Sequence, residues 1–358
     1  MPEPRATKYG GMADISRRKD DHLDLATSGD VGFKQTTTLF EQVRLVHDAL
    51  PELSLDELDT SLELMGKRLR APILIAGMTG GSERAERINR ELAAIAEERG
   101  YAFGLGSQRA MLKAPTKSST YAVRDVAPTT LLLGNIGLVQ AVQMSSDETQ
   151  QLIDSVGADA LCVHLNPAQE LIQEEGDRDF RGGLGTLERL VRAGVRVVVK
   201  ETGCGLSASV AARVRGLGVE YVDVSGAGGT SWVAVETQRA SAARRPLGQA
   251  FWEWGIPTAA SVALCAPHGF RGIFATGGMG SGLDIAKAIT LGASVGGIAR
   301  KALQAFESGG RSGALTFFDQ IETELRTAML LTGSRDLRAL AKAPKLVTGE
   351  LAEWRKLA

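Results

Sequence analysis

Lys200 closes the run 195–200 (VRVVVK), and a lysine that ends so β-branched a strand is set to enter a pocket rather than bulk solvent. Two chemistries suit it. One is a Schiff-base nucleophile; the other is a fixed cation beside N1 and the C2 oxygen of a flavin, stabilising its reduced anion. Residues 276–288 (TGGMGSGLDIAKA) carry glycines at 277, 278, 280 and 282 that lead into a helical pattern. Bare N–H groups at a helix start bind phosphate. Ala299-Arg300 offers further N–H groups and a charge, so the two segments together suggest a phosphate-bearing cofactor. Thr79, Ser107 and Asn135 can hydrogen-bond a flat heterocycle, which favours the flavin role for Lys200.

A second concentration of chemistry lies at 164–170 (HLNPAQE) and 174–180 (EEGDRDF), where imidazole, amide and carboxylate groups crowd one loop. Glu170 is a candidate Mg2+ ligand, because Mg2+ is held by one or two carboxylates together with substrate phosphates. Gln169 can hydrogen-bond a substrate, but it does not titrate. Arg18-Lys19 with His22 forms a basic patch that could grip a diphosphate if the N-terminus folds over the site.

These groups must be positioned by a repeated unit. Eight short apolar runs, 72–77, 102–106, 130–134, 160–164, 195–200, 221–224, 272–275 and 294–298, each precede a helical pattern. Runs apolar on both faces suit parallel strands covered by helices, and eight such units predict a (β/α)8 barrel. An open doubly wound sheet would carry its glycine-rich turn after the first strand, whereas here it follows the seventh. The active site of such a barrel lies at the carboxyl ends of its strands. Those ends read Met78-Thr79-Gly80, Ser107-Gln108-Arg109, Asn135, His164-Leu165-Asn166, Lys200-Glu201, Ser225 through Thr230, Gly277-Gly278-Met279-Gly280 and Ala299-Arg300. We expect one domain, with residues 1–71 as an N-terminal extension contributing to the substrate site, 72–315 as the barrel and 316–358 as a C-terminal helical segment. Within it, 316–333 reads as a helix with Phe318, Ile321, Leu325 and Met329 on its apolar face; 246–257 reads as a loop insertion.

The bulk numbers narrow the setting. Among 358 residues, 41 basic and 42 acidic side chains give a net charge of −1, so no global field draws nucleic acid or an anionic membrane. Three scattered cysteines argue against a disulfide framework. With neither a signal peptide nor a membrane-length apolar run, the expected location is the cytoplasm.

The motifs RKDDHL (18–23), AGMTGG (76–81), GSQR (106–109), GNIG (134–137), HLNPAQE, EGDRDF (175–180), VKETGCG (199–205) and SGAGGTSW (225–232) resemble the type 2 isopentenyl-diphosphate delta-isomerases. The resemblance runs from about residue 15 to the C-terminal helix. It implies FMN held by Met78, Thr79, Gly80, Ser107, Asn135, Lys200, Ser225 and Thr230, with its phosphate on Gly278, Met279, Gly280, Ala299 and Arg300. It implies substrate contacts from Arg18, Lys19, Ser107, Gln108, Arg109, His164, Asn166 and Gln169, and Mg2+ on Glu170. Of these, Lys200, Gln169 and His164 would stand closest to the reaction. The resemblance further implies interconversion of isopentenyl and dimethylallyl diphosphate, NADPH as reductant of the flavin, and a homotetramer or homo-octamer. One departure is Gly280, where relatives often carry arginine.

Two other enzymes share parts of this pattern. An FMN-dependent 2-hydroxy-acid oxidase needs a histidine base with a nearby arginine toward the seventh strand, yet His268 and Arg271 precede that strand, at its amino end. An aldolase would use Lys200 as its Schiff-base amine. A barrel that binds ligand without catalysis is the third alternative.

Overall fold

The structure is a computed structural model that describes residues 21, 23–25, 27 and 29–358. Eight parallel strands form a closed barrel. They are β1 (Ile73–Ile75), β2 (Ala102–Gly104), β3 (Leu131–Gly137), β4 (Ala160–His164), β5 (Val197–Lys200), β6 (Tyr221–Asp223), β7 (Gly272–Ala275) and β8 (Val295–Ile298). β8 closes the ring against β1, pairing Gly296 with Ile73 and Ile298 with Ile75. The apolar runs thus become the barrel as expected. β3 continues three residues past the expected end at Gly134, because Asn135, Ile136 and Gly137 pair in register with Cys162, Val163 and His164.

Strand alternation sorts the side chains into two layers. Leu74, Leu133, Cys162, Val198, Tyr221 and Phe274 fill the barrel interior, while Ile73, Ile75, Leu132, Val163, Val199 and Val222 pack outward under the helices. A hairpin pairing Leu62–Leu64 with Lys67–Leu69 sends Leu64, Met65 and Leu69 into the same inner cluster. Its turn needs positive φ at Met65 (53°) and Gly66 (80°), the geometry that suits a two-residue hairpin.

The helices form where periodicity and caps agree. Glu83–Arg99 is capped by Ser82, whose hydroxyl accepts from Ala85 N–H, ends on Gly100 in the left-handed region, and buries Ile88, Leu92 and Ile95. The closing helix is longer than expected, spanning Arg300–Leu331 with a break at Gly310 (φ 60°, ψ −154°). Phe318, Ile321, Leu325 and Met329 are buried on its apolar face. The 246–257 stretch is not all loop: Pro246 starts a short helix, Arg245–Ala250, where a missing N–H is harmless.

The extension folds back onto the barrel. Val43–Leu45 pairs antiparallel with Lys345–Val347, tying it to the C-terminal segment. Further upstream, Ser231 N–H donates to Val31 O at 2.8 Å and Trp252 Nε1 to Gly32 O at 3.0 Å, laying residues 29–33 along the loops after β6. Among the described residues no helix is long and apolar enough to cross a membrane.

Candidate active site

The barrel's carboxyl-end mouth opens into a cavity of about 620 Å³, within the range of ligand sites. Alternation sets what enters it. One pleat above the apolar inner layer, the inward positions are Asn135 on β3, His164 on β4, Lys200 on β5, Asp223 on β6 and Thr276 after β7. All but Asp223 line the cavity directly.

Lys200 Nζ lies 2.8 Å from Asp223 Oδ2 and 3.5 Å from Thr276 Oγ1. Asp223 Oδ1 accepts the Thr276 hydroxyl and, at 3.2 Å, Ser225 N–H. This arrangement engages the Lys200 amine in an ion pair rather than leaving it open for Schiff-base attack. Ser225 follows with φ 36°, a conformation few non-glycine residues adopt.

Asn135 and His164 form a polar relay whose protons can be placed. Asn135 Nδ2 donates to Leu105 O at 3.0 Å, and a carbonyl only accepts, so Oδ1 is the atom facing His164 Nδ1 at 2.8 Å. Nδ1 must then carry the hydrogen, which makes Nε2 the ring nitrogen able to switch between acceptor and donor. Beyond β4, Asn166 Nδ2 donates to Gln169 Oε1 at 3.3 Å and to Glu170 Oε1 at 3.0 Å. Glu170 Oε2 accepts Asp177 N–H at 2.8 Å, and Arg109 stands 3.9 Å from Oε1.

Gln169 Nε2 reaches Glu236 Oε1 at 3.2 Å, and Arg239 Nη1 holds the other Glu236 oxygen at 2.7 Å. Glu201, next to Lys200, is buried. Burial pushes its carboxyl up to about 7, although N–H groups of Cys204, Thr202 and Gly203 pull the other way.

The phosphate seat differs in part from expectation. The helix Gly282–Leu291 spends its N-terminus internally: Ser281 Oγ takes Asp284 N–H, Glu324 takes Gly282 N–H at 2.7 Å, and Asp284 takes Gly280 N–H at 3.2 Å. By contrast, the helix from Arg300 has no side-chain cap at Ala299, and Ala299, Arg300 and Lys301 border the cavity with Gly278 and Met279. An anion is therefore better served by the Arg300 helix start and the Gly278-Met279 edge.

Of the expected site residues, Met78, Thr79, Ser107, Asn135, Ser225, Thr230 and Lys200 line the cavity, as do Arg109, His164, Asn166, Gln169 and Glu170. Three do not. Gln108 is fully buried, its Oε1 accepting Asn135 N–H at 2.8 Å, so it supports the site from behind rather than touching a ligand. Gly80 faces Tyr121, where an added Cβ would lie 2.0 Å from the ring. Gly280 packs on Lys301, 2.0 Å from where a Cβ would sit. Arg18, Lys19 and His22 lie outside the described residues. Asp223 and Glu236 were missed by sequence reasoning: one is hidden in the run YVDV, the other sits on a helix past the strand end. The signal was available in both, a carboxylate among apolar neighbours.

The donor set fits a flavin nucleotide. Thr79 Oγ1 is buried in the cavity wall and has no hydrogen-bond partner among the described residues, which leaves it open to a ligand's polar edge.

Comparison with known proteins agrees with this geometry. The model of the FMN-dependent dehydrogenase family matches residues 12–163 and 186–347. Isopentenyl-diphosphate delta-isomerase of Methanothermobacter thermautotrophicus is 44% identical over 95% of this chain and 95% of its own length. That of Synechococcus sp. is 46% identical over 92% of this chain and 95% of its own. The chain belongs to the FMN-dependent, type 2 isopentenyl-diphosphate delta-isomerases. Among solved structures, mandelate oxidase with (S)-2-phenylpropionate matches with a TM-score of 0.63 at 16% identity, covering 95% of this chain and 99% of that one. At that identity the likeness concerns the barrel alone. The loop after β6, Gly226 to Thr230, carries no histidine in this type 2 isomerase, and His268 precedes β7 at its amino end. The histidine base toward the seventh strand that an oxidase needs is thus not presented at the mouth.

Proposed function

We propose that the protein interconverts isopentenyl and dimethylallyl diphosphate in isoprenoid biosynthesis, with FMN in the mouth cavity and Mg2+ against the substrate's diphosphate. The observation that carries the reading is the meeting, in one cavity, of the inward Lys200 with the helix start at Ala299-Arg300, where Ala299 supplies no side-chain cap. A fixed cation and an anion seat at opposite loops are what a flavin ring and its phosphate require. Thr79, Ser107, Asn135, Ser225 and Thr230 would hold the ring, and Gly278, Met279, Ala299 and Arg300 the phosphate. When bound and reduced, FMN supplies a conjugated ring able to give and take a proton, which suits a double-bond shift with no net redox change.

The chain's own residues bind and orient. Lys200 places positive charge at the inner end of the cavity. Ser107, Arg109, His164 and Gln169 offer donors for the diphosphate, with His164 addressing it through Nε2, and Asn166 would join them by turning its amide from Gln169 and Glu170 toward the substrate. Glu170 uses one lone pair on each oxygen for Asn166 and Asp177, which leaves acceptor capacity for a cation. Among the described residues no group of three or more His, Cys, Asp or Glu could hold a metal, so Mg2+ would rest on Glu170 and the substrate's own phosphates. Arg18 and Lys19 belong to the same proposal, because Leu23, Gly32 and Phe33 of the extension already border the cavity. The reading includes a cytoplasmic homotetramer or homo-octamer reduced by NADPH.

The test is cofactor content and metal dependence. Purified protein should bind FMN and release it on denaturation, and activity on isopentenyl diphosphate should vanish when Mg2+ is chelated. Protein that takes up no FMN, or turnover indifferent to chelation, contradicts the respective half of the reading.

A further inference from the structure

Asp223 sits inward on β6, directly across the register from Lys200 on β5, and is 2% exposed. A buried carboxylate survives only with partners, and this one has three: the Lys200 ammonium at 2.8 Å, the Thr276 hydroxyl and the Ser225 N–H. The pair is arranged unevenly. Lys200 reaches the cavity, while Asp223 stands behind it and does not. An ammonium alone at that wall would present a full positive charge to whatever docks there. With a carboxylate at 2.8 Å the wall presents an ion-pair dipole, whose field falls off faster with distance.

We propose that Asp223 is a positioning residue that fixes the Lys200 ammonium and cancels much of its charge, so that it sets how strongly the mouth favours a reduced over an oxidised cofactor. This rests on the reading of the cavity as an FMN site. Thr276 and Ser225, which bind the other carboxylate oxygen, keep the negative charge in place without reaching Lys200's partner atom. Asp223 therefore acts through Lys200 rather than on the ligand.

The test compares the affinity of the protein for oxidised and reduced FMN, from titration of the FMN-free protein and from the equilibrium potential of bound FMN against a reference dye. In Asp223→Asn the Lys200 charge is no longer offset, and the affinity ratio should move about tenfold toward reduced FMN. For a two-electron couple that is about 30 mV in the positive direction. Asp223→Glu, which keeps the carboxylate, should stay within about threefold of wild type. If Asp223→Asn does not fold, the double variant Lys200→Met with Asp223→Asn strands no charge, and its ratio should move toward oxidised FMN by less than about tenfold, since only the part of the Lys200 charge that Asp223 leaves uncancelled is lost. An unchanged ratio or a shift toward oxidised FMN in Asp223→Asn, or a tenfold shift in the double variant, overturns the proposal alone. Wild-type protein that binds no FMN overturns it together with the flavin reading.

Discussion

Replacing Gln108 with leucine separates a residue that supports the site from one that touches its ligand. Gln108 is fully buried; its Oε1 accepts Asn135 N–H at 2.8 Å, and its Nε2 reaches Leu152 O at 3.4 Å. Leucine nearly fills the volume but accepts nothing, so Asn135 N–H is stranded in a dry interior. An unsatisfied buried donor costs about 1–3 kcal/mol, and the long contact to Leu152 adds at most a few tenths. The expected loss is therefore about 2 kcal/mol in equilibrium urea unfolding. The KM for the diphosphate substrate should change by less than about threefold, because no ligand contact is removed. Arg109→Leu, one residue on and facing the cavity, should do the reverse, raising KM about tenfold or more with stability nearly unchanged. A Gln108→Leu protein with wild-type stability and a tenfold higher KM would refute the placement.

Glu201 supplies a pH prediction. Burial raises its carboxyl from 4.5 to about 7, so the folded protein holds that proton more tightly than the unfolded chain does. The contribution is complete below the unfolded value and is lost as pH rises through about 7, a change of roughly 3 kcal/mol. Glu201→Gln should remove this slope, so the stability gap between wild type and variant shifts by that amount between about pH 4.5 and about pH 8; an unchanged gap contradicts it. Thr79→Val removes a buried hydroxyl that has no partner among the described residues, so the FMN-free protein should be at least as stable while FMN binding weakens about 2- to 12-fold, readable by fluorescence titration. Glu170→Gln keeps an acceptor for Asn166 but loses the charge, and the Mg2+ concentration for half-maximal activity should rise at least about tenfold, equal to about 1.4 kcal/mol.

The barrel was legible because its strands are buried on both faces and read as short apolar runs, each followed by a helical pattern. Lys200, His164 and Asn166 were legible because they interrupt such runs at their carboxyl ends. Gln108 was misplaced for a local reason: it shares a polar strand end with Ser107 and Arg109, yet as the N-cap of the helix Arg109–Lys113 it turns its side chain inward. The role of the Gly282 helix was hidden for a distant one, since Glu324, which takes Gly282 N–H, lies 42 residues away in sequence. Asp223 was read as part of an apolar run because the partners that make its burial tolerable come from elsewhere in the barrel, Lys200 from β5 and Thr276 from just after β7.

The central claim is most directly tested by anaerobic incubation of isopentenyl diphosphate with the protein, FMN, NADPH and Mg2+, followed by proton NMR. Signals of dimethylallyl diphosphate that grow to a fixed equilibrium ratio, with no net consumption of NADPH per turnover, are the expected result. Unchanged isopentenyl diphosphate in the presence of bound, reduced FMN would contradict the account, and hydrogen peroxide formed from a 2-hydroxy acid in air would point to an oxidase instead.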